Sequence, residues 1–447
     1  MKNIKRILLL LAVLSLVLSL GFAQGIEENS EISEGKVTLK VLNYYDTTEP
    51  GYDKERQIWQ NFRDENPNVE LVTEDLCNEA FHKKVSAYIA SGNLPDIMYM
   101  YPSGRSTVIH ENKLVRDLKP IFGEEFLSNF VSSALNTKTQ KSGYLAELPQ
   151  SICYTTVVYT NKGLLDSLGL KIPTTYEELK AMVPILKANG IQTVLMANKD
   201  DWVMQSCLFS TISGRYVGTK WYDDVKMGKV KFTDPEYVQA LDMLKTMYDD
   251  GVISRNTIQL AYGEAPGLFA SGKAAFFVDG DWKESAFLTN PTTGESLISP
   301  EKQKTDLALI SFPALPGENF PGTVSSVLGC GFGISSSIPE GSAKEAAAIK
   351  LIKYLYSAEV QQQYLDIGRY IPTRKDVSTE NVEPIIKKML AYYAQSESTC
   401  YVIDAVLPPS VNNLLSKVLQ EIGMNSKTPQ EAAAEIQEEM DKYIAMQ

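Results

Sequence analysis

The chain has 447 residues and a formal net charge of −12 at pH 7. Its hydrophobic fraction of 44% and its charged fraction of 22% are ordinary for a soluble globular protein. The acidic balance argues against nucleic acid and anionic lipid surfaces as binding partners, because both of these carry negative charge.

The first 23 residues have the pattern of a secretory signal peptide. Lys2, Lys5 and Arg6 precede an apolar run over residues 7–20, and small residues stand before a cleavage site after Ala23. A single membrane anchor is the alternative, but the run is shorter than the ~20 residues of a full span. Cleavage would remove three positive charges and change the formal charge from −12 to −15. No cysteine stands near this site, so we expect a periplasmic protein and not a lipoprotein, with a flexible leader over residues 24–36.

The next stretch alternates between strand and helix patterns. β-forming residues predict strands over 37–45, 69–72 and 96–101. Apolar residues at helical spacing predict one helix that ends at Asn66-Pro67 and another over residues 79–91 that Gly92 stops. A β-α-β-α-β order predicts a parallel sheet with helices on its faces.

Capping signals mark four helices further along the chain. They are Thr175-x-x-Glu178, Asp234-Pro235, Ser342-x-x-Glu345 and Thr428-x-x-Glu431. We expect the helix that begins after Ser342 to run through Tyr364. Residues 276–278 read as a short strand, and the glycines at 329, 331 and 333 indicate a tight backbone approach instead of a phosphate-binding loop. No internal repeat or long linker is present, which favours α/β lobes in close contact.

No catalytic motif with a recognisable spacing is present. The sequence lacks G-x-S-x-G, H-E-x-x-H and C-x-x-C, and His82 and His110 have no partner nearby in sequence. The five cysteines are widely spaced, so we interpret them as small buried hydrophobes and leave one disulfide open. We therefore predict no enzymatic activity, no cofactor and no metal. The paired carboxylates of a glycoside hydrolase remain open as the enzymatic alternative, because Asp and Glu are plentiful.

Aromatic and acidic residues follow the ends of predicted strands. Ligands in open α/β sheets lie outside the carboxyl ends of strands, and a sugar needs aromatic faces together with polar groups that pair with its hydroxyls. Packing is the ordinary alternative for each ring, and helix N-capping is the alternative for Asp46 and Asp281. The candidate binding residues are Tyr45, Asp46, Tyr101, Tyr154, Trp202, Asp281 and Trp282.

Several short motifs, in this order and spacing, resemble the extracellular solute-binding proteins of ABC importers, in the sugar-binding group that includes maltose-binding protein. The motifs are ASGNLPDI at 90–97, VYTNK at 158–162, GLKIPTTYEEL at 169–179, FASGKAAF at 269–276 and GRYIP at 368–372. Gly280-x-Trp282, and Phe312-Pro313 with Pro316-Gly317, also fit. Two positions depart from the family pattern. Thr160 stands where an aromatic residue is usual, and Tyr176 stands where Trp is usual.

The resemblance implies a periplasmic-binding-protein-like fold of type II, with two discontinuous α/β lobes and a hinge of crossing strands. It implies a first lobe over residues 37–150 plus 313–365 and a second lobe over 151–312 plus 366–447. Trp282 is then expected to stack on a sugar ring, with Tyr154 on the crossover and Arg369 as an added candidate. A monomer would capture a mono- or oligosaccharide and deliver it to the membrane subunits of an ABC importer. Hinge closure around the ligand would accompany capture.

Another small solute, such as a polyamine, a peptide or an anion, remains open within the binding class. An anion site would call for a cluster of Arg and Lys or for exposed helix N-termini, and the sequence has no strong basic cluster.

Overall fold

The computed structural model describes residues 36–45, 52–101, 106–135, 143–395 and 398–446. The predicted signal peptide, the leader up to residue 35, and Asp46 lie outside the described residues. Within the described ranges, no helix combines the length and the apolar character needed to cross a membrane.

The first lobe is built on a five-stranded sheet with the order β2-β1-β3-β11-β4. β1 is parallel to β2 and β3, whereas β11 is antiparallel to β3 and β4. The strands are β1 (Val37–Tyr44), β2 (Val69–Leu76), β3 (Ile97–Met100), β4 (Leu148–Pro149) and β11 (Gly331–Ile334). Its helices are Tyr52–Glu65, Asn78–Ser91, Thr107–Glu111, Leu118–Leu127, Ala343–Leu355 and Ala358–Asp366, with a 3-10 turn at Ser132–Leu135. The predicted parallel β-α-β-α-β order is confirmed.

The second lobe is built on a four-stranded sheet with the order β7-β8-β6-β9. The strands are β6 (Val157–Asn161), β7 (Gln192–Leu195), β8 (Ala274–Asp279) and β9 (Leu307–Ile310). Its α-helices up to residue 395 are Lys162–Ser167, Tyr176–Ala188, Trp202–Met204, Ser210–Lys226, Pro235–Asp249, Ala265–Ala270, Pro300–Thr305 and Pro384–Gln395. Further along the chain come Ile403–Val406, Pro409–Gly423 and Pro429–Ala445. A π-helix spans Gln205–Phe209, and 3-10 helices span Arg255–Gln259 and Asp281–Phe287.

Crossing strands join the two lobes. A third sheet with the order β12-β10-β5 contains β5 (Ile152–Tyr154), β10 (Thr323–Leu328) and β12 (Ser398–Tyr401). One antiparallel register runs from this sheet into the first lobe, since residue 326 faces 154, 328 faces 152, 331 faces 149 and 332 faces 148. Residues 148–154 and 326–332 thus form one continuous two-stranded ribbon between the lobes.

The glycines of this ribbon permit the close backbone approach that the sequence predicts. A Cβ atom on Gly331 would collide with the carbonyl of Leu148, and one on Gly329 would collide with Ser151. A third chain segment crosses beside the ribbon, where the amide of Thr373 donates to the carbonyl of Gln150 at 2.9 Å. The hinge therefore has three neighbouring chain segments.

The segment between β9 and β10 is attached to the second lobe through a buried arginine. The guanidinium of Arg215 donates to the carbonyls of Phe312 and Pro313 at 2.8 Å, and to the carbonyl of Thr323 at 2.9 Å. Each of these bonds pairs a backbone acceptor with a charged donor that is 1% exposed. The division of the chain into two lobes at the predicted residues stays a prediction. That division assigns β10 to the first lobe, whereas β10 pairs here with β5 and β12.

The prediction of one continuous helix from Ser342 through Tyr364 is wrong, because this segment consists of two helices. The first ends at Leu355, and Tyr356 and Ser357 leave the helical conformation. Ser357 caps the second helix with its hydroxyl, which accepts from the amide of Val360 at 3.3 Å. The break changes the direction of the chain before it enters the third crossing segment.

Candidate functional site

The structure places the predicted site residues in two groups on either side of the crossing segments. Tyr154, Trp202, Asp281 and Trp282 form the second-lobe group, and Tyr45, Tyr101 and Arg369 lie in the first-lobe group. Asp46 lies outside the described residues. The two groups are described in turn below.

Trp282 is the central ring of the second-lobe group. It follows the end of β8 and is partly exposed. Its indole lies directly over Gly280, where an added Cβ would collide with the six-membered ring. The indole N–H donates to the hydroxyl of Tyr262 at 2.6 Å. Trp202 packs beside it with ring centroids 6.2 Å apart.

Asp281 connects the turn after β8 to the crossing strand. Its Oδ2 accepts from the amide of Tyr154 on β5 at 2.6 Å and from the hydroxyl of Tyr393 at 2.5 Å. The ring of Tyr393 stacks on that of Tyr154 at 4.6 Å with an interplanar angle of 19°. Gly280, and not Asp281, stands at the N-cap of the 3-10 helix that follows, and no side chain caps this helix, so the capping alternative does not account for Asp281. Burial raises the pKa of Asp281 above its usual range.

Asp279 is a second buried carboxylate, which the sequence prediction did not single out. Its Oδ1 accepts from the amide of Gly280 at 2.7 Å and from the hydroxyl of Tyr262 at 3.2 Å. Within the described ranges, its Oδ2 is buried without a hydrogen-bond partner. Burial raises the pKa of Asp279 to about 6, while the nearby Lys283 ammonium acts in the opposite direction.

The first-lobe group centres on the carboxyl ends of β1 and β3. Tyr101 is partly exposed, and its ring lies near those of Tyr44, Phe81 and His82. Tyr45 is only 4% exposed, and its hydroxyl donates to the carbonyl of Tyr52 at 3.1 Å. Its contacts favour the packing alternative for Tyr45, because little of the ring remains for a ligand.

Arg369 belongs with the first-lobe group, although the predicted division assigns residue 369 to the second lobe. Its Nε lies 3.1 Å from Oε2 of Glu55. The guanidinium also opposes the effect of burial on the pKa of Tyr99. Tyr101 and Cys153, the latter on the crossing strand, raise the pKa of Tyr99. Asp281 in turn raises the pKa of Cys153.

Sequence reasoning missed three residues that shape this site. They are Asp279, Tyr262 and Tyr393. Asp279 directly follows the strand predicted over residues 276–278, and an acid at a strand end directly before Gly280 is the available signal. Neither tyrosine carries a local signal, because one follows a 3-10 turn and the other lies within the helix Pro384–Gln395.

The chemistry of these groups suits a neutral, hydroxylated ligand. Trp and Tyr rings offer apolar faces, while an Arg–Glu pair and tyrosine hydroxyls offer polar contacts at their edges. Among the described residues, no group of three or more His, Cys, Asp and Glu side chains is placed to hold a metal ion. All five cysteines, each of which lies within the described ranges, have free thiols.

Two discontinuous α/β lobes joined by crossing strands define a type II periplasmic-binding-protein fold. The chain belongs to the bacterial extracellular solute-binding protein family, whose model matches residues 45–362. Members of this family are solute-binding proteins and are usually non-enzymatic.

Relatives and solved structures agree with this assignment. A multiple sugar-binding protein of Streptococcus mutans is 24% identical over 362 residues, which is 80% of each chain. A solved structure from work on xylan utilization by the thermophilic bacterium Caldanaerobius polysaccharolyticus has a TM-score of 0.79 at 23% identity and covers 90% of this chain and 100% of its own. A chitin oligosaccharide binding protein has a TM-score of 0.79 at 21% identity and covers 92% and 99%. These structural matches establish the fold.

Proposed function

We propose that this protein captures a mono- or oligosaccharide between its two lobes, as a monomer in the periplasm, and delivers it to an ABC importer. The observation that carries the proposal is the set of partly exposed rings of Trp282, Trp202 and Tyr154 beside the hinge. Hydrogen bonds hold Trp282 and the backbone of Tyr154, and Trp202 packs against Trp282. The sugar-binding description of the Streptococcus relative supports a carbohydrate ligand. The positive and apolar start of the chain supports export.

The contacts of the acidic residues favour binding over glycoside hydrolysis. A hydrolase needs two carboxyl groups that both reach the glycosidic bond. Asp279 and Asp281, the acids nearest to the rings, are 0% and 5% exposed and accept hydrogen bonds from the protein itself. We therefore retain the assignment as a binding protein, with hinge closure as the step that follows capture.

A thermal-shift screen over mono- and oligosaccharides tests the proposal. A true ligand at 100 times its dissociation constant should stabilise the native state by about 2.7 kcal/mol. Xylo-, chito- and malto-oligosaccharides are the first panel, each with a reducing-sugar assay. Absence of a saturable shift with every sugar, or release of reducing ends, would contradict sugar capture.

Trp282→Ala provides the residue-level test, with Trp221→Ala as its matched control. Trp221 is buried in the second lobe and stacks on Tyr237 at 4.8 Å, away from the proposed site. Loss of a core tryptophan costs about 3–5 kcal/mol, so Trp221→Ala should lower the melting temperature of the unliganded protein and preserve the sugar-induced shift. Trp282→Ala should give the opposite result, with a smaller loss of unliganded stability and no sugar-induced shift.

A further inference from the structure

Tyr262 occupies the centre of the second-lobe group, although no local sequence pattern marks it. Its hydroxyl lies between the indole N–H of Trp282 at 2.6 Å and Oδ1 of Asp279 at 3.2 Å. The ring of Trp202 contacts it edge to face with centroids 5.0 Å apart. The Lys283 ammonium lies 3.7 Å from the centroid of the Tyr262 ring, a cation–π contact.

The direction of the hydrogen bonds in this cluster follows from the chemistry of the three groups. An indole N–H can only donate, so the oxygen of Tyr262 must accept from Trp282. The single hydroxyl proton of Tyr262 is then free to be donated to Asp279, whose Oδ1 accepts it. The bonds therefore run from Trp282 to Tyr262 to Asp279.

Contacts on two sides fix the plane of the indole. Gly280 leaves room for the ring above the backbone, and the bond from the indole N–H to Tyr262 determines its rotation about the side-chain torsions. Trp282 is partly exposed, so without this bond its ring could turn toward solvent. Stacking on a sugar requires one ring orientation, since the apolar face must meet the C–H surface of the ligand.

We propose that Tyr262, held by Asp279, is a positioning residue that orients Trp282 for the ligand. This inference depends on the proposed function, because it takes Trp282 as a ring that stacks on a carbohydrate. Tyr262 acts through the indole and not through contact with the sugar. Asp279 acts only through Tyr262, since its carboxylate accepts a hydrogen bond from the Tyr262 hydroxyl.

Tyr262→Phe removes the hydroxyl and retains the ring that Trp202 and Lys283 contact. We expect the affinity for the sugar found in the thermal-shift screen to fall about fivefold to tenfold, the effect of one lost hydrogen bond. The melting temperature of the unliganded variant should stay close to that of the wild type. Isothermal titration calorimetry measures the affinity.

Tyr159→Phe is the matched control, because it removes a buried tyrosine hydroxyl from the same turn. Tyr159 donates to the carbonyl of Gly280 at 2.9 Å and makes no hydrogen bond to the indole. Its affinity for the sugar should stay within about twofold of the wild type, because the orientation of Trp282 is unchanged. An equal loss in Tyr159→Phe and Tyr262→Phe would overturn the proposal, since both would then act by loosening the turn.

A double-mutant cycle separates positioning from a general structural effect. Trp282→Phe retains an aromatic face but has no N–H, so Tyr262→Phe in that background should change the affinity by less than about twofold. An effect as large as in the wild type would show that Tyr262 does not act through the indole. Wild-type affinity in the single Tyr262→Phe variant would overturn the proposal as well.

A measurement without sugar distinguishes failure of this inference from failure of the proposed function. The emission of Trp282 is obtained by subtracting the fluorescence spectrum of Trp282→Phe from that of the wild type. The same difference taken in the Tyr262→Phe background should be shifted, because the indole has lost its hydrogen bond. A shifted spectrum with no sugar binding in the wild type would refute sugar capture alone, and an unshifted spectrum would refute positioning alone.

Discussion

At the scale of single residues, Gly280 lies beneath the indole of Trp282 in the proposed site. Gly280 has an extended conformation with φ −75°, which any residue can adopt. Glycine is needed here because of the ring above it, since a Cβ atom would overlap with three carbon atoms of the indole. The identity of residue 280 thus follows from the position of the Trp282 ring.

Gly280→Ala should displace the Trp282 indole. The added methyl group should weaken binding of the sugar by about tenfold or more, and overpacking should lower the free energy of unfolding by about 1–3 kcal/mol. Calorimetric titration and chemical denaturation measure the two effects. Gly267→Ala is the control, because a Cβ atom there has no neighbour within 4 Å. It should leave the affinity near that of the wild type and, because Gly267 lies in a helix, should raise the free energy of unfolding by up to about 1 kcal/mol instead of lowering it. Unchanged affinity in Gly280→Ala would contradict the role of the indole.

The sequence predicts the residues of the site that are neighbours along the chain, and it misses those that come from afar. Asp281 and Trp282 follow β8 directly, so a strand-end pattern could identify them. Tyr262 is 20 residues from Trp282, and Tyr393 is 112 residues from Asp281. Their roles depend on tertiary packing, which no local pattern of residues encodes.

At the scale of helices and strands, capping chemistry predicts where helices start. Thr175 and Thr428 accept from the amides three residues ahead, and Thr428 completes a capping box with Glu431. The start at Ser357 was missed because Val360, and not an acid, stands at the third helical position. A cap without a reciprocal acid leaves no more signal in a sequence than any other serine.

Ser357→Ala should destabilise the helix Ala358–Asp366. Loss of the bond from the amide of Val360 to the Ser357 hydroxyl should lower the free energy of unfolding by about 1 kcal/mol. Urea denaturation measures the change. Ser357→Asn, which can still cap the helix, should retain most of the stability. Equal losses in the two variants would show that the cap is not the source of the effect.

At the scale of the whole molecule, strand order along the chain predicts the first lobe but not the path between the lobes. Adjacent β-α-β units are local, whereas β11 enters the first sheet after more than 200 residues and pairs with β3 and β4. The hinge register joins residues 148–154 to 326–332, a pairing of distant segments. Only the family resemblance predicted crossing strands, and their residues could be assigned only once the pairing was known.

The two buried carboxylates at the hinge make the stability of the molecule depend on pH. Burial raises the pKa of Asp279 from 3.8 to about 6 and raises that of Asp281 in the same direction. The folded protein therefore binds these protons more tightly than the unfolded chain. Binding of these protons stabilises the folded protein to the full extent below about pH 4, and this stabilisation is lost as the pH rises through about 6.

Chemical denaturation at pH 5 and pH 7.5 should therefore show a lower free energy of unfolding at the higher pH, with Asp279 contributing about 1.4 kcal/mol to the difference. Asp279→Asn should reduce this difference, because the amide does not titrate, while Asp281 retains its own part. Asp376→Asn is the control, since hydrogen bonds from Arg374 lower the pKa of Asp376 and its titration lies below this range. The same pH difference in Asp279→Asn as in the wild type would exclude Asp279 as the titrating group. Asp279 accepts a hydrogen bond from the Tyr262 hydroxyl. The titration of Asp279 therefore connects the stability of the whole molecule to the site where we place the sugar.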